Sequence, residues 1–310
     1  MCGIAGILSA SGRPVTPAAI GRMANAIRHR GPDDEGYVLL RSEDGAFEMA
    51  GGADTPLAVM ASGIPYTPTR LLSDSPQAGA NVAMVNRRLA ILDLSAAGHQ
   101  PMSSRDRFGI KPLYYSWDGE TFLFASEIKA IVASSRVKAR PNEPVIHDYL
   151  AYGRTDHSED TFYQGIRQLR GGNLLELDLR ARTLNTRRYY DIPLGSKLDG
   201  LSMDEYAGQF HDLLEDSVRL RLISDVPVGS CLSGGLDSSS IVCTVSHLAS
   251  TKRTGLTLKD TRNSYSARYA DPQFDEGLFI DSVVANSGVD PHMTYPSAEG
   301  LRRAMDELIW

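Results

Sequence analysis

Three absences narrow the class of protein before any motif is considered. Cysteine is scarce, with only Cys2, Cys231 and Cys243, so there is no disulfide framework and a reducing, cytoplasmic setting is indicated. We expect Cys231 and Cys243 to be small core residues. The net charge of −6 argues against a nucleic-acid-binding protein, which usually carries a basic surface. No apolar run is long enough to cross a membrane, so a membrane partner is not expected either.

The 310 residues are enough for two ordinary domains, each with its own core. A segment with proline and glycine at 192–201 predicts a linker, so we place the domains at 1–191 and 202–310. In the second domain, predicted strands and helices alternate, which favours an α/β fold with a parallel sheet. In the first domain, Gly3 to Leu8 predicts a strand, and Asp118-Gly119 predicts the turn of a hairpin.

Helix boundaries are indicated by capping residues. Thr16 followed by Pro17 predicts a helix start, and Ser202 with Glu205 forms a predicted capping box. Ser297 predicts the cap of a last helix that ends at Trp310. Further predictions are paired strands at Val82 to Val85 and Leu89 to Leu94, a helix capped by Ser126, and a surface loop from Gly51 to Gly79.

One stretch of the second domain predicts a phosphate site. A short apolar run ends in Ser233-Gly234-Gly235, and a helical pattern follows from Leu236. A glycine turn between a strand and a helix points backbone N–H groups at one spot, where the helix N-terminus adds partial positive charge. The hydroxyls of Ser233, Ser238 and Ser239 add donors. The alternative is a turn that is rich in glycine for packing alone.

The chemistry of this loop is narrowed by two residues. No lysine is present, so this is not the Gly-Lys-Ser/Thr loop that handles a γ-phosphate. Asp237 stands in the loop instead, and a carboxylate beside phosphates predicts a bridging Mg²⁺. The run Ser-Gly-Gly-Leu-Asp-Ser-Ser resembles the pyrophosphate loop of the ATP pyrophosphatase superfamily, whose members split ATP into an adenylated intermediate and pyrophosphate.

The N-terminus predicts a nucleophile. If Met1 is removed, Cys2 carries both its thiol and a free α-amine, whose pKa of about 7.7–8.0 suits a base near neutral pH. The thiolate is then the nucleophile. Cys-Gly-Ile-Ala-Gly, together with Arg-His-Arg-Gly-Pro-Asp-Asp-Glu-Gly from Arg28, resembles the class II glutamine amidotransferases, whose N-terminal cysteine attacks the glutamine side-chain amide. The alternative is an incidental cysteine.

A candidate substrate-binding arginine follows from the same resemblance. Arg88-Leu89-Ala90-Ile91 is similar to a family segment whose arginine holds the carboxylate of the substrate glutamine. A bidentate arginine–carboxylate pair suits that task. The alternative is an exposed arginine on a strand edge.

Both halves of the chain resemble the glutamine-hydrolysing asparagine synthetases, and so do the stretches at residues 97–102 and 105–115. The resemblance implies an α+β first domain of the N-terminal-nucleophile type with layered antiparallel sheets, and an α/β ATP-pyrophosphatase second domain. It implies ammonia release from glutamine at Cys2 and adenylation of aspartate by ATP and Mg²⁺ with release of pyrophosphate, and it leaves a homodimer open. The implied ATP contacts are Leu232, Ser233, Gly234, Gly235, Leu236, Asp237, Ser238, Ser239 and Ala267. Leu232 and Ala267 would contact adenine, and the alternative for both is an ordinary core role.

The chain departs from this family at two places. Between Ser104 and Arg105 the family has a long segment with an Asn-Gly pair that forms the oxyanion hole, and this sequence contains no Asn-Gly pair. Losing one such donor typically costs about 10²–10³ in rate. Beyond Trp310 the family continues with further ATP and aspartate contacts. We therefore expect an incomplete first domain, a truncated second domain, and weak or absent synthetase activity.

Two alternatives stay open at this point. The chain is a non-catalytic remnant that binds nucleotide, or it belongs to a related ligase that uses a different amide acceptor. The absent acceptor-binding segment leaves the acceptor undecided.

Overall fold

A computed structural model describes residues 1–75, 79–100, 106–194, 200–251 and 262–309. The chain divides into two compact units, Met1–Gly195 and Ser196–Trp310. The predicted junction between Ser104 and Arg105, and Trp310 itself, lie outside the described residues. Among the described helices, none is long and apolar enough to cross a membrane.

An eight-stranded sheet forms the centre of the first unit. Its spatial order is β4-β3-β2-β5-β1-β7-β6-β8, and the strand pairs are antiparallel except for β3 with β4. The strands are β1 Gly3–Ser9, β2 Asp34–Leu40, β3 Phe47–Gly51, β4 Arg70–Leu71, β5 Val82–Arg88, β6 Tyr114–Trp117, β7 Thr121–Ala125 and β8 Arg167–Gln168. The predicted hairpin around Asp118-Gly119 is β6 with β7, and the predicted first strand is β1.

Helices cover one face of this sheet and complete the main core. α1 (Pro17–Ala26) starts where predicted, because the Thr16 hydroxyl accepts the N–H of Ala19 and Pro17 occupies the first turn. α1 packs against α3 (Ile128–Ala133), and the same unit also contains α2 (Leu57–Met60) and α4 (Glu143–Tyr152). The largest fully buried apolar side chains of this core are Ile7, Ile20, Met23, Ile27, Leu123, Ile131 and Ile166.

The other face of the sheet borders a cavity of about 620 Å³. An antiparallel pair, β9 (Asn173–Asp178) and β10 (Thr183–Arg188), lies beside it. The lining is mainly apolar and includes Met84, Phe124 and Leu175. This face is therefore less completely filled than the face under the helices.

Two predictions about the first unit are wrong at the level of single elements. Leu89 to Leu94 is not a strand, because β5 continues through Arg88 and the chain then forms a loop whose carbonyls accept from Arg88. Ser126 does not cap α3: its hydroxyl accepts the N–H of Ile4 in β1, and the helix is preceded by Glu127.

The predicted surface loop from Gly51 to Gly79 contains more structure than expected. It includes α2 and β4, and Thr55 and Leu72 are buried. The Thr55 hydroxyl donates to the carbonyl of Glu35 at 2.5 Å. The segment is therefore partly integrated into the core.

The second unit is an α/β arrangement, as its alternating pattern predicts. Three parallel strands lie in the order β11-β12-β13. The strands are β11 Gly229–Cys231, β12 Asn263–Ala267 and β13 Asp290–Thr294, and the helices are α5 Met203–Arg221, α6 Leu236–Ser250, α7 Gly277–Ser287, α8 Ala298–Arg303 and α9 Met305–Ile309. The capping box of Ser202 and Glu205 is present.

Two expectations about this unit are wrong. Cys231 and Cys243 are exposed rather than buried, because the apolar side chains that form the small cores are their neighbours Leu232 and Val242. The last predicted helix is divided into α8 and α9 at Ala304.

The two faces of the main sheet should respond differently to truncation. Leu123 is 1% exposed in the core under α1 and α3, so Leu123→Ala is expected to lower the free energy of unfolding by about 2–5 kcal/mol. Leu175→Ala is expected to cost about 1 kcal/mol or less, because Leu175 is only partly buried and already borders empty space. Urea titration of both variants measures this, and equal losses would contradict the assignment of the core.

Candidate functional site

Cys2 lies at the start of β1, beside the segment that follows β5. The antiparallel register pairs Gly3 with Arg87, so Cys2 lies opposite Arg88, the last residue of β5. Its Sγ accepts the backbone N–H of Leu89 at 3.4 Å, and the side chain is exposed. The fold thus brings together the predicted nucleophile and the predicted glutamine-binding segment, which are 87 residues apart in sequence.

Arg88 is buried at the end of β5, which excludes the exposed strand-edge alternative. Its Nη2 donates to the carbonyl of Leu92 at 2.9 Å and to that of Asp93. A Cβ on Gly98 would overlap this nitrogen, so only glycine fits there. The guanidinium is therefore held in one orientation by the loop that it contacts.

A buried histidine–carboxylate pair anchors the same loop. His99 Nδ1 lies 2.7 Å from Asp34 Oδ2, and both side chains are buried. The His99 ring packs against Gly36, where an added Cβ would lie 2.6 Å from Cε1 and Nε2 of the ring. The Tyr66 hydroxyl donates to the carbonyl of Ala97 at 2.6 Å. Sequence reasoning missed this pair, because nothing in the pattern links two residues so far apart.

An ion-pair network lies on β5 next to Arg88. The fully buried Arg87 donates to Glu35 at 2.7 Å and to Asp54 at 2.8 Å. Tyr37 donates to the same Glu35 carboxylate, and burial together with that carboxylate raises the pKa of the Tyr37 hydroxyl far above its usual range. Removing one member of such a network leaves a buried charge unpaired, so the network is expected to hold β2 and β5 in register. The sequence carried no signal for it.

The predicted phosphate loop connects β11 to α6. Gly234 has φ +81°, and a Cβ there would lie 2.6 Å from Cβ of Phe279 in α7. The Ser233 and Ser238 hydroxyls are 3.0 Å apart, and Ser238 also donates to the carbonyl of Gly235. The N–H groups of the first turn of α6 have no acceptor within the helix. The loop is thus a compact turn with backbone and hydroxyl donors at a helix N-terminus.

The remaining predicted ATP contacts differ in exposure. Leu232 is buried in a small core with Val242 and Ile280, whereas Ala267 is exposed at the end of β12. β11 and β12 are parallel neighbours, so the loop and Ala267 follow the same edge of the sheet. Of the other loop residues, Ser233, Gly235, Leu236 and Asp237 are exposed, while Gly234, Ser238 and Ser239 are half-buried.

Asp237 is the only predicted metal ligand. No cluster of three or more metal-ligating side chains occurs among the described residues. Mg²⁺ is usually bound by one or two carboxylates together with substrate phosphates. An exposed carboxylate in the first turn of α6 fits that mode.

An arginine immediately after Ala267 secures the segment between β12 and α7. Arg268 donates to both carboxylate oxygens of Asp275, at 2.8 and 2.9 Å, and this pairing lowers the pKa of Asp275 to about 2. A Cβ on Gly277 would overlap the guanidinium. This ion pair holds the start of α7, whose Phe279 packs on Gly234.

Comparison with known proteins finds a family match in each half of the chain. Residues 103–190 match the glutamine amidotransferase domain family, and residues 209–310 match the asparagine synthase family. A glutamine phosphoribosylpyrophosphate amidotransferase structure from B. subtilis covers 95% of this chain, but with a TM-score of 0.37 and 12% identity it adds nothing to the assignment.

Curated relatives extend these matches. A putative glutamine-hydrolysing asparagine synthetase of Methanocaldococcus jannaschii is 26% identical over all of this chain and 68% of its own length. Glutamine-hydrolysing asparagine synthetase 3 of Bacillus subtilis is 30% identical over 67% of this chain, and amidase chry2 of Gibberella zeae is 33% identical over 68%.

The chain spans only 34% and 32% of the length of the last two relatives. The alignment with the archaeal protein covers 361 residues against the 310 of this chain, so that relative has additional residues within the matched span. The asparagine synthase match contains the phosphate loop, whereas the amidotransferase match begins at residue 103 and does not contain Cys2. Each half of the chain is therefore similar to the corresponding part of the glutamine-hydrolysing asparagine synthetases.

Proposed function

We propose that the chain derives from an ATP-dependent ligase that transfers glutamine nitrogen to aspartate, and that this form has weak or no synthetase activity. The observation that carries the proposal is the contact between Cys2 Sγ and the N–H of Leu89 at 3.4 Å, directly beside the buried Arg88. A nucleophile and a carboxylate-binding cation at one sheet end suit an amino-acid amide as substrate.

The first half-reaction uses residues of the first unit. After removal of Met1, the α-amine of Cys2 would take the thiol proton, and the thiolate would attack the glutamine amide carbon. A thioester would form and ammonia would leave. Arg88 would hold the substrate carboxylate through Nε and Nη1, which form no hydrogen bond within the described part of the chain. An N-terminal-nucleophile fold for this unit belongs to the same proposal.

The second half-reaction uses the loop at residues 232–239. ATP phosphates would bind the N–H and hydroxyl donors of this loop, and adenine would lie at the sheet edge near Leu232 and Ala267. Asp237 would hold Mg²⁺, which supplies charge neutralisation when bound. Aspartate would be adenylated with release of pyrophosphate, and ammonia would displace AMP to give asparagine.

A second candidate is a related ligase with another acceptor. The similarity to amidase chry2 favours this candidate. The chain is 33% identical to that protein, compared with 26% and 30% for the two synthetase relatives described above. In both candidates Cys2 would release ammonia from glutamine and the phosphate loop would bind ATP. A homodimer and a cytoplasmic location stay predictions.

Ammonia release from glutamine tests the first half-reaction. We expect slow release by the purified chain, reduced by about 10²–10³ for each oxyanion-hole donor of the absent Asn-Gly pair, and none from Cys2→Ala. Mass spectrometry must first show that Met1 is removed. No ammonia from a processed sample that unfolds cooperatively would contradict the glutaminase proposal, and asparagine formation at an ordinary rate of about 10 s⁻¹ would contradict the proposed weakness.

MgATP binding tests the second half-reaction. MgATP at about 100 times its Kd should stabilise the fold by about 2.7 kcal/mol and raise Tm. Gly234→Ala should abolish this shift and cost about 1–3 kcal/mol by itself, because residue 234 has φ +81° and its Cβ would press on Phe279.

Gly235→Ala is the matched control for that experiment. Its φ is −69°, and a new Cβ would meet only the Ser233 hydroxyl at 3.5 Å. The Tm shift should therefore persist. Loss of the shift in both variants, or in neither, would contradict the proposed loop geometry.

A further inference from the structure

A single carboxylate contacts two cations and a histidine close to the start of β1. Glu127 Oε1 accepts from Arg30 Nη1 at 2.9 Å and lies 2.9 Å from His29 Nε2, and Oε2 lies 3.4 Å from Lys129 Nζ. The side chains of Glu127 and Arg30 are 23% and 11% exposed. Burial raises the pKa of Glu127, while hydrogen bonds from Arg30 and His29 lower it, and the net shift is downward. The carboxylate is therefore ionised at neutral pH.

Arg30 connects this carboxylate to Cys2. Its Nε donates to the backbone carbonyl of Cys2 at 3.3 Å. A Cβ on Gly3 would lie 3.2 Å from Cδ of Arg30, so glycine lets the arginine lie against the strand. The close packing of Arg30 on the backbone at Gly3 thus accounts for both residues of the motifs.

The residue before Glu127 holds the next position of the strand. The N–H of Ser126 donates to the carbonyl of Ile4, and its hydroxyl accepts the N–H of Ile4. Ser126 and Glu127 therefore secure Ile4 directly and Cys2 through Arg30. This matters because Cys2 precedes β1, and a terminal residue that is not tied down frays.

We propose that Glu127 is a positioning residue for the nucleophile, acting through Arg30 to hold the Cys2 carbonyl and so to orient the thiol at the end of β1. When Met1 is absent, the contacts that orient Cys2 are this carbonyl bond and the bond of its sulfur to Leu89. The catalytic meaning of the positioning rests on the proposed glutaminase function, whereas the effect on the thiol does not.

Glu127→Gln tests the proposal in the full chain, because it keeps the shape and removes the charge. We expect kcat for ammonia release to fall by about 10- to 100-fold, with KM for glutamine little changed, since Arg88 is held by a different loop. Alkylation of Cys2 by iodoacetamide, followed on the Cys2 peptide because Cys231 and Cys243 are also exposed, should become about threefold faster. The thiol is then less restrained and Arg30 less neutralised.

Glu48→Gln is the matched control. Glu48 is 25% exposed and pairs with Arg70 at 2.6 Å on strands remote from β1 in the sheet order. It should lose similar stability without changing kcat or the alkylation rate. Arg30→Lys is the second variant, in case Glu127→Gln does not fold, since lysine keeps the charge but cannot make both bonds. Arg30→Lys should likewise lower kcat for ammonia release and raise the rate of Cys2 alkylation.

The outcomes separate the two proposals. Faster Cys2 alkylation in Glu127→Gln, in a parent chain that releases no ammonia, would support the positioning role and overturn the glutaminase proposal. Ammonia release by the parent, with both rates in Glu127→Gln and Arg30→Lys equal to those of Glu48→Gln, would overturn the positioning role alone. A rise in KM without a fall in kcat would also overturn it.

Discussion

The hydrogen-bonded position of β1 between β5 and β7 is the constraint on which the first unit depends. A strand bonded on both edges has its register set twice, by Gly3 with Arg87 on one side and by Ala5 with Ala125 on the other. The ladder with β5 begins at Gly3, the first residue of β1, and the ladder with β7 begins at Ala5. As a result, Leu89 at the end of β5 contacts Cys2, and Ser126 at the end of β7 bonds Ile4, two residues further along the chain.

Local signals in the sequence were sufficient for elements whose cause is local. The cap at Thr16, the capping box at Ser202 and the hairpin around Asp118-Gly119 depend on residues within a few positions of each other. The glycine turn at Gly234 belongs to the same class, because a strand, a positive φ and a helix follow in direct succession. The α/β character of the second unit followed from their alternation.

Features that depend on distant partners could not be predicted from a single sequence. The Arg87 network draws on Glu35 and Asp54 from separate segments, and the proline-rich stretch that supplies Asp54 carried no periodic signal. The apolar segment after Arg88 predicts a strand, which the structure does not contain. Its backbone carbonyls are instead turned toward a buried guanidinium, and satisfying that charge outweighs β propensity.

Under the proposed function, one set of contacts in the first unit orients the nucleophile and a different set holds the residue that binds the substrate. Cys2 is tied through Arg30 to Glu127, which lies between β7 and α3. Arg88 is tied to the loop at residues 92–98, which the His99–Asp34 pair anchors to β2. These two sets of contacts share the junction of Arg88 with Leu89 and otherwise rest on different elements. A chain that lacks residues present in its relatives can therefore keep one set intact while the other is weakened, and the separate responses of kcat and KM distinguish these cases.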